Sequence, residues 1–171
     1  MKIVGSILIV LSTSAIGHWY SIDFQKRVDE LQYLRQMFRM ICGEIQYTQT
    51  PLSEVFRHVG RRAKDPYQKW FSYLAEEIDH RRNVTFNDIW NISIDMYLGN
   101  QGFLRVDITE LKEMGTQMGC LDTKTQIGVL NLYTERLELS IQKIREGLAA
   151  KRRLSNCLGV MSGIFIAVIL L

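Results

Sequence analysis

The chain has 171 residues, with 21 Lys and Arg against 18 Asp and Glu, a formal net charge of +3 and 47% hydrophobic residues. A charge this small, spread along the chain, does not point to nucleic acid, and the three widely spaced cysteines, Cys42, Cys120 and Cys157, fit reduced thiols in a cytosol better than a disulfide framework. Setting aside an apolar run near each end leaves roughly 130 residues, the usual size of one domain.

The first run, Ile3 to Tyr20, is uncharged apart from a possible charge on His18, and is diluted by Ser6, Ser12, Thr13 and Ser14. It predicts an amino-terminal membrane anchor over residues 1–22. Ser12-Thr13-Ser14-Ala15 also has the small residues of a signal-peptide cleavage site. The alternative is therefore an exported, tail-anchored helical binding protein that has lost its first run. Charge separates the two. Lys26, Arg27 and Arg35 follow the run, and Lys143, Arg145, Lys151, Arg152 and Arg153 precede the second run, while only Lys2 lies outside the pair. Positive charge marks the cytoplasmic side, so residues 23–153 are expected to face the cytoplasm.

Apolar residues in this middle recur at three and four, the period of a helix face, and predict six helices. The first continues out of the anchor with Val28, Leu31, Leu34, Phe38, Ile41 and Ile45 on one stripe. Thr50-Pro51 restarts the chain, the threonine hydroxyl as a cap and the proline at the first helical position, ahead of Leu52, Val55, Phe56 and Val59. Asp65-Pro66 repeats this punctuation before Trp70, Phe71, Leu74 and Ile78. Thr85 and Asp88 form a capping pair for a helix carrying Phe86, Ile89, Trp90 and Ile94, which ends at Gly99-Asn100-Gln101-Gly102. The fifth helix carries Leu104, Ile108, Leu111, Met114 and Met118 and closes at Gly119, expected to be a left-handed cap. Asp122 caps the sixth, which bears Ile127, Leu130, Leu137, Ile141, Ile144 and Leu148 at a heptad-like spacing that is interrupted at Thr134. So short a connection forces antiparallel neighbours.

The sixth helix runs on without a stop signal into the second apolar run, residues 154–171. As a helix this is about 27 Å long against a hydrocarbon core of about 30 Å, so it predicts a carboxy-terminal anchor rather than a buried core helix. Lys151, Arg152 and Arg153 stand where cations meet the headgroups of an anionic leaflet, making membrane lipid an expected partner.

Chemistry is scarce. His18, His58 and His80 have no second ligand at metal spacing, and the glycine pairs do not follow a strand as a phosphate loop would. Glu76-Glu77 and the Asp107, Glu110, Glu113 series fit solvated faces. No serine has a nucleophile's setting. No enzyme activity, metal or cofactor is expected. One stretch rises above this background, from Leu111 to Gln126, where Gly115 and Gly119 lay a bare groove on one face of the fifth helix. Glycine in a helix interior costs about 1 kcal/mol relative to alanine, so Gly115 implies close approach by another backbone. That backbone belongs either to the sixth helix or to a partner.

These residues carry a resemblance over the whole chain. The Met-Lys-x-x-Gly opening, Glu44-Ile45-x-Tyr47-x-x-Thr50-Pro51-Leu52, the Leu111-x-x-x-Gly115-x-x-x-Gly119-x-x-Asp122-x-x-x-Gln126 corner and the glycine-containing final run together resemble the stage III sporulation protein AB family of endospore-forming bacteria. Met114 and Met118 stand where phenylalanine or leucine is expected, a change that keeps the surface apolar. The resemblance implies an all-α, six-helix antiparallel bundle, similar to the cytoplasmic domain of the F-type platform protein of type II secretion, between two transmembrane helices. It implies a non-enzymatic component of the channel between mother cell and forespore, in the mother-cell or outer forespore membrane. The implied partners are the other channel-operon membrane proteins, a secretion-type cytoplasmic ATPase and further copies of the chain as a homo-oligomer. Glu44, Tyr47, Thr50, Pro51, Gly115, Gly119, Asp122 and Gln126 are the candidate residues for docking a partner or for forming a helix corner.

Overall fold

The computed structural model describes the backbone of residues 2–48, 50–80, 84–119 and 122–170, with side chains described from 24 to 149 within those ranges. It contains six helices and, among the described residues, no strand: α1 Lys2–Thr48, α2 Leu52–Gly60, α3 Tyr67–His80, α4 Phe86–Tyr97, α5 Arg105–Met118 and α6 Thr123–Leu170. The chain divides into two units, one of residues 1–28 with 139–171 and one of residues 29–138. Among the described residues no helix is long and apolar enough to cross a membrane. The runs at 3–20 and 154–171, on which both anchors rest, lie outside the residues whose side chains are described.

In the unit of residues 29–138, α1 and α6 run antiparallel. Cys42 Sγ donates to Asn131 Oδ1 at 3.4 Å, the Phe38 ring meets Tyr133 edge-on at 5.3 Å, and Arg35 pairs with Glu138, so α6 numbers rise as α1 numbers fall. The remaining helices close the bundle in sequence, α2 on α3, α3 on α4 and α4 on α5. Aromatic rings fill the space between them. Trp70 and Trp90 lie 5.2 Å apart, Trp70 stacks on Phe71 at 4.7 Å, and Phe38, Phe56 and Phe86 pack around Trp90. Both indoles are wholly buried, so each N–H needs an acceptor inside. Trp70 Nε1 donates to Ser93 Oγ at 2.8 Å, Ser93 passes the chain to Trp90 O at 2.7 Å, and Trp90 Nε1 donates to Leu111 O at 2.9 Å.

The helix starts show where local chemistry sets the fold. Thr85 and Asp88 form the full reciprocal box: Asp88 N donates to Thr85 Oγ1 and Thr85 N to Asp88 Oδ2, each at 3.3 Å. At α2 the expected cap is displaced by one residue. Pro51, with ψ of 148°, is the cap residue, and its carbonyl takes Glu54 N at 2.9 Å and Val55 N at 3.1 Å. Thr50 caps nothing, because its hydroxyl is bonded to that of Thr48 at 2.8 Å. Asp65, joined to Pro66 by a cis bond, holds Lys69 Nζ at 2.7 Å one turn into the following helix. Leu104 is not a core residue: it is the cap of α5, 51% exposed, and its N–H donates to Asp107 Oδ2 at 2.8 Å. Thr134, where the heptad-like spacing is interrupted, is buried within α6 and bonds Asn131 O at 2.8 Å. After α4 the chain turns through Gly102, whose φ of 85° lies in the left-handed region that glycine adopts without strain.

Candidate functional site

The candidate residues fall into two groups. Gly115 is buried in α5, and a Cβ there would sit 1.9 Å from Trp90 Cδ1 and 2.1 Å from its Nε1. The groove is therefore not bare, and what approaches it is neither a backbone nor α6: it is the indole of α4, locked in place by its bond to Leu111 O. Neighbouring side chains seal the same seam, with Lys112 Nζ 2.7 Å from Asp95 and Thr116 Oγ1 donating to Asn87 Oδ1 at 2.9 Å. Gly119 does cap α5, but with φ −72° and ψ −19°, a right-handed conformation open to any residue. Its reason for lacking a side chain is contact, since a Cβ would lie 3.1 Å from Phe86 Cδ1.

The second group lies at the surface, with Glu44, Thr50 and Gln126 partly covered. Asp122 caps α6, its Oδ1 accepting from Thr125 N at 2.8 Å, and Thr125 holds its carboxyl below the usual range by hydrogen bonding to the ionised form. Gln126 Nε2 reaches back to Met118 O at 3.2 Å, tying the first turn of α6 to the last of α5. Cys120 and Leu121, between them, lie outside the described residues. Glu44 turns toward α2, with His58 Nδ1 at 3.7 Å and Arg62 at 3.8 Å. Tyr47 stands in solvent, 86% exposed. Thr48 folds back on Glu44 O at 2.6 Å and carries Thr50, ahead of exposed Pro51. The side chains of Lys151, Arg152 and Arg153 lie outside the described residues.

Glu44, Tyr47 and Asp122 thus have separate engagements, and nothing here assembles an acid, a base and a nucleophile. Among the described residues no group of His, Cys, Asp or Glu is placed to hold a metal ion. Burial raises the Cys42 thiol, which keeps it protonated and suits its role as donor to Asn131. Sequence reasoning missed Trp90 as the filler of the Gly115 groove, and it missed the buried Tyr67 and Tyr133. The available signal was chemical: a buried indole needs an acceptor, and Leu111 lies one turn before Gly115.

Among the described residues the architecture is that of an all-helical protein. The chain belongs to the stage III sporulation protein AB family, whose model matches residues 2–171. It is 21% identical over 171 residues to stage III sporulation protein AB of Bacillus subtilis (strain 168), a match covering 100% of this chain and 99% of that one. A solved structure of a stage III sporulation protein AB is similar in fold, with a TM-score of 0.64 at 20% identity over 72% of this chain and 97% of that one.

Proposed function

We propose that this chain is a non-enzymatic, membrane-anchored component of the channel between mother cell and forespore, and that its helical domain is a platform for a secretion-type cytoplasmic ATPase. The observation that carries this reading is a family match that spans both apolar runs together with the helical middle. Basic residues flank the middle at both ends, which sets residues 23–153 on the cytoplasmic side, with residues 1–22 and 154–171 as the anchors. The exposed corner at Asp122 offers the docking surface, because its carboxylate is ionised and stands at the surface, while the Gly115 groove is filled from within.

Co-purification tests it. The full-length chain, extracted from sporulating cells in mild detergent, should bring down the ATPase and the other channel-operon membrane proteins. Asp122→Asn removes the charge and keeps the cap, so it should weaken ATPase recovery without lowering the melting temperature. Recovery of no ATPase with the wild-type chain would end the platform reading. Undiminished recovery with Asp122→Asn would move the docking surface elsewhere.

A further inference from the structure

Glycine inside a helix is destabilising relative to alanine, so each one calls for a reason. Gly60, Gly115 and Gly119 have theirs within the chain, since a Cβ at each would press on Phe71, Trp90 or Phe86. Gly43 of α1 and Gly128 of α6 do not: a Cβ at either would meet nothing within 4 Å. What uses those two gaps lies outside the chain.

Large side chains stand uncovered beside them. Tyr47, one turn after Gly43, is 86% exposed, and Leu132, one turn after Gly128, is 49% exposed. A charge extends each stripe, Arg39 one turn before Gly43 and Glu135 one turn after Leu132. Both are exposed, and no ion pair among the described residues engages either. The neighbouring cations are placed elsewhere, Arg35 on Glu138 and Arg136 among Glu110 and Glu113 of α5. Spacings of three and four put Arg39, Gly43 and Tyr47 on one face of α1, and Gly128, Leu132 and Glu135 on one face of α6. The two helices are neighbours, so the stripes share one side of the unit of residues 29–138. With Cys42 level with Asn131, Tyr47 lies within two residues of the height of Gly128, Gly43 of Leu132 and Arg39 of Glu135. Small thus stands level with large, and cation with carboxylate, but within one chain the two stripes point outward side by side. A two-fold axis parallel to the bundle makes them meet, because it sets α1 of one copy against α6 of another at unchanged height.

We propose that the chain pairs with a second copy through this α1–α6 face, with Tyr47 of each copy over Gly128 of the other, Leu132 over Gly43, and Arg39 against Glu135. Every contact then occurs twice, as a self-complementary interface requires. The glycines let the two backbones approach, the tyrosine and leucine fill the gaps, and the charges fix the register. The common orientation is what a shared membrane imposes, and to that extent the proposal rests on the anchored reading above.

The test uses two full-length copies with different affinity tags, co-expressed in a cell that makes no other channel component and extracted in mild detergent. Wild-type copies should co-purify. Gly43→Leu or Gly128→Leu in both copies closes a gap and should lower recovery about tenfold or more. The melting temperature of the purified full-length variant should rise or stay unchanged, because the new side chain replaces a helix glycine in open space. Arg39→Glu in both copies sets like charges against each other and should lower recovery by about the same factor. Adding Glu135→Arg to Arg39→Glu restores the pair with its signs exchanged and should restore recovery. Wild-type copies that fail to co-purify, or Gly43→Leu copies recovered as well as wild type, would overturn the proposal. So would a lower melting temperature for Gly43→Leu, which would give that glycine a reason inside the chain. An Arg39→Glu loss that the exchange does not repair would overturn it too, by assigning Arg39 to a different acidic partner or to a lipid headgroup. Pelleting with membranes is scored separately. A chain found in the soluble fraction would remove the anchored reading, while the same variants, repeated on that fraction, would still decide the contact.

Discussion

The α4–α5 interface and the α5–α6 corner share a helix and are held in opposite ways. At the first, the Trp90 indole fills the space left by Gly115, is wholly buried and spends its only donor on Leu111 O. At the second, Gln126 ties α6 to the end of α5 through one hydrogen bond to Met118 O, while Asp122 at the surface caps α6 through Thr125 N. Shape complementarity in a dense core tolerates neither added nor removed atoms, while a cap is satisfied by any side chain with an acceptor at the right place. The first interface therefore sets stability, and the second leaves the Asp122 carboxylate at the surface.

Melting of a fragment of residues 26–153 can break this comparison; by far-ultraviolet circular dichroism the fragment should be almost wholly helical. The largest effect is expected for Trp90→Ala, about 3–5 kcal/mol, because it opens a cavity, removes four ring contacts and orphans the Leu111 carbonyl. Gly115→Leu should cost about 3 kcal/mol by driving its side chain into the indole. Combined with Trp90→Ala it should cost less than the sum, since the new leucine enters the space the indole leaves. Additive losses would mean that the two positions do not share that space. Thr85→Ala, which removes one side of the capping box, should cost about 1 kcal/mol.

Asp122→Asn should change the midpoint least at neutral pH and should show its effect only in acid. The folded carboxyl titrates below its unfolded value, so its stabilising contribution is complete above the unfolded pKa and is lost as pH falls through the lowered folded one. Below about pH 4 the wild-type fragment should therefore lose stability faster than the asparagine variant. Parallel acid profiles would show that Thr125 does not hold the ionised form.

Much of this was legible in the chain. The six helices follow from apolar period, and the Thr85–Asp88 box and the Asp122 cap follow from residue types at fixed offsets, because each of these involves atoms only a few residues apart. What failed involves atoms far apart in sequence or choices between equivalent local bonds. Periodicity marks Gly115 as a close approach but does not say which helix arrives, and Trp90 comes from a neighbour 25 residues away. Gly119 looks like a left-handed cap, but the Phe86 ring beside it is the constraint. Thr50 could cap α2, but a closer hydroxyl at Thr48 takes it instead. Tyr67 and Tyr133 escape a count of apolar residues because their rings are buried while their hydroxyls are polar. Tyr67 donates to Glu30 at 2.8 Å, and burial raises its phenol far above the usual value, so the bond persists across the ordinary pH range.

The proposed function requires residues 23–153 to lie on the cytoplasmic side of a membrane that both ends enter. Asn100 stands exposed in the turn after α4, so a single cysteine there, with Cys42, Cys120 and Cys157 replaced by serine, reports the side directly. A membrane-impermeant thiol reagent should leave this cysteine unlabelled in intact protoplasts and label it after lysis. Labelling without lysis would contradict it.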